Sequence, residues 1–552
     1  MRMIFRPFAL MFLLLAGCAV QPPIPPYPMP KAVQFKKTID KNVPYIRVGI
    51  VWGRSQITFS ADRDFKVVDA DGNIITRGKR NRKWQVSVQG GSGSEMVCRL
   101  VAGSFKNRDG ANSRAAALSR QGCPAEVRSN GNHLKLNGVQ VDNKTWRVYL
   151  KKLFWSRQEA EAYRDAIWNR FETFIIEEPL NRKRSAWELR DLTGRKSWPL
   201  NKAVYVVGTV VTLYQVDVGN GFHWERMENR KYPEIISFDL DRSGMAAAIN
   251  ILSIEDYLKG VVPSEMSDTF PMEALKAQAV AARSEALAKF GKRHQGQPFD
   301  LCADVHCQVY SGLSEQSART NRAVKETRGK VLWKDGQICD AVYSASCGGH
   351  TEHNDKAWGG NPVSYLRGTY DGTNRIRRFG SLSREKNVEQ WINDYPREAH
   401  CNTTYGRVPN SLNYTKKYFR WEVAYTQDEL RSVLERSQNR TVGPVLDLIP
   451  LNRGVSGRVT RLKVAGLNGN YIIEGELRIR KALSESTLWS SCIYIQKYGY
   501  GTIPNEFVIK GAGFGHGVGM CQTGAAVMAL KGKKYERILR YYFQGVKIQK
   551  IY

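Results

Sequence analysis

An α+β fold in more than one domain follows from three observations on the 552-residue chain. Short segments of alternating apolar and polar residues, separated by turn pairs, fill residues 45–88 and resume after 200. That is the period of half-buried strands. Between them a strand–turn–helix pattern occurs twice at a fixed offset of 49 residues. Beyond residue 253 the apolar positions switch to helical spacing. One core does not serve a chain this long, so about two to four domains are expected. With 42% hydrophobic and 11% aromatic residues, those domains have ample core material and general disorder is excluded.

The N-terminus reads as an export signal. Arg2 and Arg6 precede an apolar run, residues 8–15, too short to span a bilayer. Leu15-Ala16-Gly17-Cys18 directly follows and resembles a bacterial lipobox. That resemblance implies a diacylated Cys18 as the mature N-terminus. Ala19 fits an outer-membrane anchor facing the periplasm if the host is Gram-negative; an ordinary signal peptide with an incidental cysteine is the alternative. Residues 19–44 form a tether, in which the segment 21–31 holds six prolines and favours an extended chain. Ten cysteines in an exported chain permit disulfides. Cys18 aside, nine remain, so at least one is free or bound to metal. The net charge of +31 points to a polyanionic partner: nucleic acid, an anionic membrane surface or an acidic wall polymer. Export weighs against nucleic acid, and solubility alone is the bland alternative.

Strands are expected at 45–51, 57–59, 65–68 and 84–88, with Asp71-Gly72 as one of the turns. In the repeat, 98–105 and 147–150 read as strands, and Phe105, Arg108, Ala111 and Leu118 superpose on Phe154, Arg157, Ala160 and Ile167. Two units that cannot bury their apolar faces singly should pack together. This βαβ-βαβ pattern, over about 94–170, resembles the SPOR domain, which implies binding to glycan strands stripped of stem peptides. A charged connector is expected at about 171–200. Strands at 203–213 and 246–252 then resume, so the repeat reads as an insertion in a larger β framework that includes 45–90.

Ser253 with Asp256 marks a helix start, and Gly260 its end. Pro271 opens a second helix, with Met272, Leu275, Ala279, Ala282, Ala286 and Phe290 on one stripe. Glu265 thus falls in the link, beside Val261, Val262 and Pro263. An apolar setting raises a carboxyl pKa and suits it to donate protons near neutrality; spacing alone favours a solvated loop glutamate. Asp268 and Glu273 are expected to cap helices.

The segments EDYLKGVVPSEM (255–266), EALKAQAVAAR (273–283), CQVYSG (307–312), AVYSASCGGHTE (341–352), SGRV (456–459) and GAGFGHGVGMCQTGA (511–525) occur in order, together with Trp358, Tyr365-Leu366 and 538–542. They closely resemble the stage II sporulation protein D family (SpoIID/LytB type), over about 200–552. The resemblance implies a peptidoglycan lytic transglycosylase with Glu265 as its catalytic acid, acting on strands without stem peptides. One carboxyl can protonate the glycosidic oxygen and then, as carboxylate, accept the proton of the sugar's own 6-hydroxyl, which closes a 1,6-anhydro ring. No water attacks, so the usual second carboxylate is dispensable. The alternative within the family is a non-catalytic wall-binding protein or enhancer of wall amidases.

Gln308, Tyr310, Ser344, Ser346 and the Gly348-Gly349 turn are expected to line a glycan groove. His516, flanked by glycines, is expected as a second proton or orienting group, or as a structural histidine. Cys302, His306 and Cys307, with His294 as a fourth ligand, suit tetrahedral zinc of a structural kind, and the resemblance supports it; a Cys302–Cys307 disulfide, or one of these with Cys347, competes. The chemistry itself requires no cofactor. Cys521 is either a free thiol or a partner for Cys347.

Overall fold

The computed structural model describes residues 43–552 apart from 90–93, 132, 137–138, 143, 168–172, 181–184, 223, 374–377, 395 and 406–407. The lipobox with Cys18 and the tether lie outside the described residues. Helix and strand are mixed throughout, in keeping with the expected α+β class.

Two sheets build the N-terminal framework. The first has seven strands in the order Leu301–Cys302, Tyr45–Arg54, Ala246–Ser253, Ile235–Leu240, Val204–Val207, Phe65–Val68, Ile74–Gly78. The second has six, Lys196–Leu200, Ala186–Asp191, Trp84–Gln89, Gln56–Ala61, Val211–Val218 and Arg226–Tyr232. Their inner faces share one core, in which Phe59 meets Trp84, Phe65 and Phe238. The single strand expected at 203–213 is two, because the chain turns at Gly208 with φ 86° and passes from one sheet to the other.

Trp84–Gln89 pairs directly with Ala186–Asp191, Gln89 opposite Ala186. Everything between these residues therefore interrupts one antiparallel pair of strands. The interruption is a four-stranded antiparallel sheet, ordered Phe174–Pro179, Met96–Phe105, Thr145–Phe154, Ala125–Asn130, with helices α1 (Arg108–Arg120) and α2 (Arg157–Ile167). Ala111 and Leu118 of α1 and Ala160 and Ile167 of α2 share its separate core. The region 171–200 is not a connector. Residues 174–179 supply the outer strand beside Met96–Phe105, and 186–200 form a hairpin of the framework. Its charges mislead because Glu178 pairs with Arg99 and Arg128 on the sheet surface.

The framework delivers the chain from strand Ala246–Ser253 into α3 (Ile254–Glu265), capped by Ser253, whose hydroxyl accepts from Asp256 N–H. Helix α4 (Met272–Lys289) follows and is buried on nearly every side, not along one stripe. Its Arg283 meets Glu255 of α3 in a two-pronged ion pair, 2.9 Å on each prong, closed by Tyr552 Oη at 2.7 Å. Helix α5 (Ala318–Glu326) packs on α3 and α4. Two further cores lie C-terminal. One joins α4 to the 339–347 segment and the last helices; the other holds the strands Val445–Arg453, Val459–Gly466 and Gly469–Glu474. Among the described residues no helix is long and apolar enough to cross a membrane.

Candidate active site

Glu265 is the last residue of α3, not part of a link. Gly260 does not end the helix: an added Cβ there would lie 2.6 Å from the Gly312 carbonyl and from the Tyr310 ring, so glycine serves close approach of the 310–312 loop. Pro263 is tolerated in the final turn, and Ser264 Oγ donates to the Gly260 carbonyl at 2.7 Å while meeting Ser311 Oγ at 2.6 Å. The helix end is thereby clamped to the strand of residues that follows the Cys/His loop.

The Glu265 side chain is half-buried, with Val261 and Val262 fully buried on the preceding turn. Val309 N–H donates to its Oε1 at 2.8 Å, and Gln522 Nε2 donates to its main-chain carbonyl at 3.0 Å. Burial pushes its pKa up to about 7; the Val309 bond opposes the rise, while the charge of Glu285 adds to it and that of Lys289 subtracts. A carboxyl so placed carries a proton near neutrality and still has one oxygen free of the Val309 bond.

Beneath it lies a buried polar chain that sequence reasoning missed. Glu285 and Lys289, one turn apart on α4, form an ion pair. Gln308 Nε2 donates to Glu285 Oε2 at 2.8 Å and Tyr257 Oη donates to Gln308 Oε1 at 3.1 Å. Gln308 is therefore a buried brace that fixes Val309, not a groove residue. The Glu285/Lys289 spacing was the available signal, since buried charges on one helix face need partners at i,i+4. The Tyr343 hydroxyl is also buried here.

Other expected groove residues are core residues too. Tyr310 is fully buried, with its hydroxyl donating to Asn250 Oδ1 at 2.7 Å. Ser346 is fully buried and accepts from Gly348 N–H at 3.4 Å, and Ser344 is buried, its hydroxyl without a partner among the described residues. Gly348 (φ 74°) and Gly349 (φ 104°) make a tight turn in which Cβ atoms would strike the 512–513 backbone and Trp391. These glycines admit neighbouring protein, not a ligand.

His516 is half-buried; its Nδ1 accepts from Val518 N–H at 3.0 Å, and burial lowers its pKa to about 3. It is neutral in the working pH range and holds its own loop, which fits an orienting role better than proton transfer. Its ring lies 4.8 Å from that of Trp358, which is 51% exposed. The same Gly-rich run carries Phe514, against Tyr418 at 4.8 Å and Trp489 at 5.6 Å. Tyr414, exposed, continues toward Phe270 just past Glu265. Of these, Trp358 and Tyr414 are exposed and Tyr418, Trp489 and Phe514 half-buried, with Lys416 and Lys417 exposed beside them, so this group offers the accessible aromatic side chains that the expected groove residues do not. The aromatic-basic run 414–421 was legible and overlooked. Arg458 explains the SGRV segment: its guanidinium donates to the carbonyls of Gly515 (3.2 Å) and Cys347 (3.4 Å), tying the two loops together.

His294, Cys302, His306 and Cys307 gather their ligand atoms within 4.8 Å of one another. His294 Nε2 lies 3.3 Å from Cys307 Sγ, and His306 Nδ1 lies 3.8 Å from both sulfurs. Although burial opposes it, hydrogen bonds from Cys302, His294 and His306 hold the Cys307 thiol well below its ordinary value. Cys347 sits in a different cluster, with Cys401 and Cys521, so a bridge from Cys302 or Cys307 to Cys347 is excluded by position.

Sequence comparison matches this architecture. The SpoIID profile, described as stage II sporulation protein, covers residues 242–333, which carry α3, Glu265, α4 and the Cys/His loop. A domain of unknown function covers 352–519. An uncharacterized protein of Brachyspira hyodysenteriae is 32% identical over 300 residues, 54% of this chain and 67% of that protein. The amidase enhancer of Bacillus subtilis is 30% identical over 311 residues, 52% of this chain but 39% of its own length. Stage II sporulation protein D of Bacillus subtilis is 26% identical over 327 residues, 57% of this chain and 79% of that protein. With the profile lying on the helix pair that presents Glu265 and these relatives extending well beyond it, the chain belongs to the SpoIID family.

Proposed function

We propose that this protein is a peptidoglycan lytic transglycosylase, with Glu265 protonating the glycosidic oxygen and then receiving the proton of the muramic 6-hydroxyl as the 1,6-anhydro ring closes. The observation that carries the reading is the Glu265 carboxyl itself: half-buried, raised to about 7, and fixed by a single backbone donor. A group near 7 serves equally as acid and as returning base at neutral pH, which a one-carboxyl mechanism demands. The aromatic surface of Trp358, Tyr414 and Tyr418 suits stacking against sugar faces, and the +31 charge suits muramic carboxylates.

His294, Cys302, His306 and Cys307 fit structural zinc by donor type, two sulfurs and two imidazoles. Bound there, the metal would brace the loop that carries Gln308 and Val309, and so the hydrogen bond to Glu265. It has no place in the proton transfers. The inserted four-stranded unit is proposed to bind stem-peptide-free glycan as SPOR domains do, and Cys18 to anchor the chain by lipid at the outer membrane, facing the periplasm.

Purified protein and its Glu265→Gln variant, incubated with amidase-treated glycan strands, test the reading. Anhydro-ended products from the first and not the second are expected. No products from either would leave the second reading, a binding protein that stimulates a wall amidase, which the similarity to an amidase enhancer favours.

A further inference from the structure

A second group of metal-ligating side chains lies apart from Glu265 and from the His294 cluster. Cys347, Asp371, Cys401 and Cys521 bring three sulfurs and a carboxylate oxygen within 4.8 Å of one another, all buried. The four residues come from separate places: the turn after strand Tyr343–Ser344, the two segments bridged at Gly372 and Ala399, and the N-cap of helix Gln522–Leu530. We propose that they form a second structural metal site, a Cys3Asp site that takes zinc.

The distances suit the ion. Cys347 Sγ lies 3.6 Å from Cys401 Sγ and 3.2 Å from Asp371 Oδ2. Ligands about 2.0–2.3 Å from a tetrahedral zinc stand roughly 3.3–3.8 Å apart, so the sulfur–sulfur edge is already at metal-bound length and the sulfur–oxygen edge is within about 0.1 Å of it. The remaining edges are no longer than 4.8 Å.

The charges ask for a cation. Asp371 is fully buried, accepts from Tyr542 Oη at 2.7 Å and from the Cys347 thiol, and among the described residues forms no ion pair with Lys, Arg or His. Buried without a counter-charge, the carboxyl rests as the neutral acid, and a divalent cation would take the place of its proton. Cys521 is prepared for the thiolate form. The N–H groups of Cys347 (3.2 Å) and Gly524 (3.4 Å) both point at its sulfur, and a helix begins at that residue.

The packing leaves room for the carboxylate. A Cβ at Gly524 would lie 2.6 Å from Asp371 Oδ2 and 2.2 Å from Tyr542 Oη, so glycine there lets the acid sit against the helix start. A sulfur-rich donor set selects zinc over magnesium or calcium. On binding, each ligating thiol gives its proton to solvent and no electron is transferred. The site would pin the start of the Gly348-Gly349 turn to the end of the Gly-rich run that carries His516.

The competing outcome is a Cys347–Cys401 disulfide, which would leave Asp371 and Cys521 uncompensated. Metal content of the full chain, purified without chelator, separates the two. Cys401→Ser and Asp371→Ala should each lose one zinc per chain relative to wild type, while Cys302→Ser leaves that equivalent in place. Wild-type zinc content in the folded Cys401→Ser and Asp371→Ala variants overturns the proposal. Should those variants fold poorly, two measurements avoid them. Non-reducing alkylation and peptide mapping of denatured wild type should find Cys347, Cys401 and Cys521 all as thiols, and a Cys347–Cys401 bridge overturns the site. Cobalt(II) added to chelator-stripped Cys302→Ser/Cys307→Ser chain should give the intense visible absorption of tetrahedral cobalt thiolate, and its absence likewise overturns it.

Discussion

Replacing Glu265 by Gln should abolish turnover and at the same time stabilise the fold at neutral pH. Burial favours the protonated carboxyl in the folded state, so its pKa moves from 4.5 to about 7. Below about pH 4.5 both states hold the proton and the residue contributes no pH-dependent penalty. As pH rises from there the unfolded chain ionises first, and stability falls until the folded group ionises near 7. Above that the penalty is complete. At 1.36 kcal/mol per pKa unit it amounts to about 3 kcal/mol, an upper figure because the side chain is only half-buried. Glutamine keeps the acceptor for Val309 N–H and cannot ionise, so the variant escapes the penalty. Denaturant unfolding of both proteins at several pH values should show curves that coincide near pH 4.5 and diverge to as much as about 3 kcal/mol by pH 8, with the variant above. The rate of anhydro-product formation should fall by about 10²–10⁴-fold. A stability gap that does not change with pH would refute the burial argument, whatever the activity shows.

Three further outcomes follow from the same contacts. Glu255→Gln leaves the Arg283 guanidinium buried without its counter-charge and should cost about 3–5 kcal/mol in denaturant unfolding. His516→Ala should slow the reaction without moving the pH midpoint near 7, because the imidazole is already neutral and only its hold on Val518 is lost; a shifted midpoint would make it a proton carrier. Excising residues 92–183 and joining the ends by a short turn should leave the framework folded, since Gln89 and Ala186 are already paired, while removing retention on denuded sacculi.

The strands around 45–88, the repeat and the helix pair at 253–290 were legible because their apolar periods report directly on local structure. What misled were residues whose reason is distant in sequence. Gly260 looks like a helix stop but makes room for the Gly312 carbonyl. Tyr310 and Gln308 have the chemistry of sugar binders, yet their polar atoms are consumed by Asn250 and Glu285 in the interior. The gathering of Cys347, Asp371, Cys401 and Cys521 spans well over a hundred residues and no spacing rule announces it.

The buried ion pair beneath Glu265 decides how many acids the site can present. Glu285 is a second carboxylate whose charge reaches Glu265, but Lys289 and Gln308 occupy both its oxygens and it is itself closed off from solvent. It is not free to activate a water as the second carboxylate of an inverting hydrolysis would. It does act through space, since its negative charge adds to the rise in the Glu265 pKa while Lys289 limits that rise. Glu285→Gln should therefore lower the alkaline midpoint of the pH–rate profile while leaving anhydro ends as the product. Lys289→Met leaves Glu285 buried without its cation, so that carboxyl takes up a proton and its charge is lost as well; the midpoint should fall by less than in Glu285→Gln. Midpoints unchanged in both variants would show that the polar chain does not set the proton affinity of Glu265.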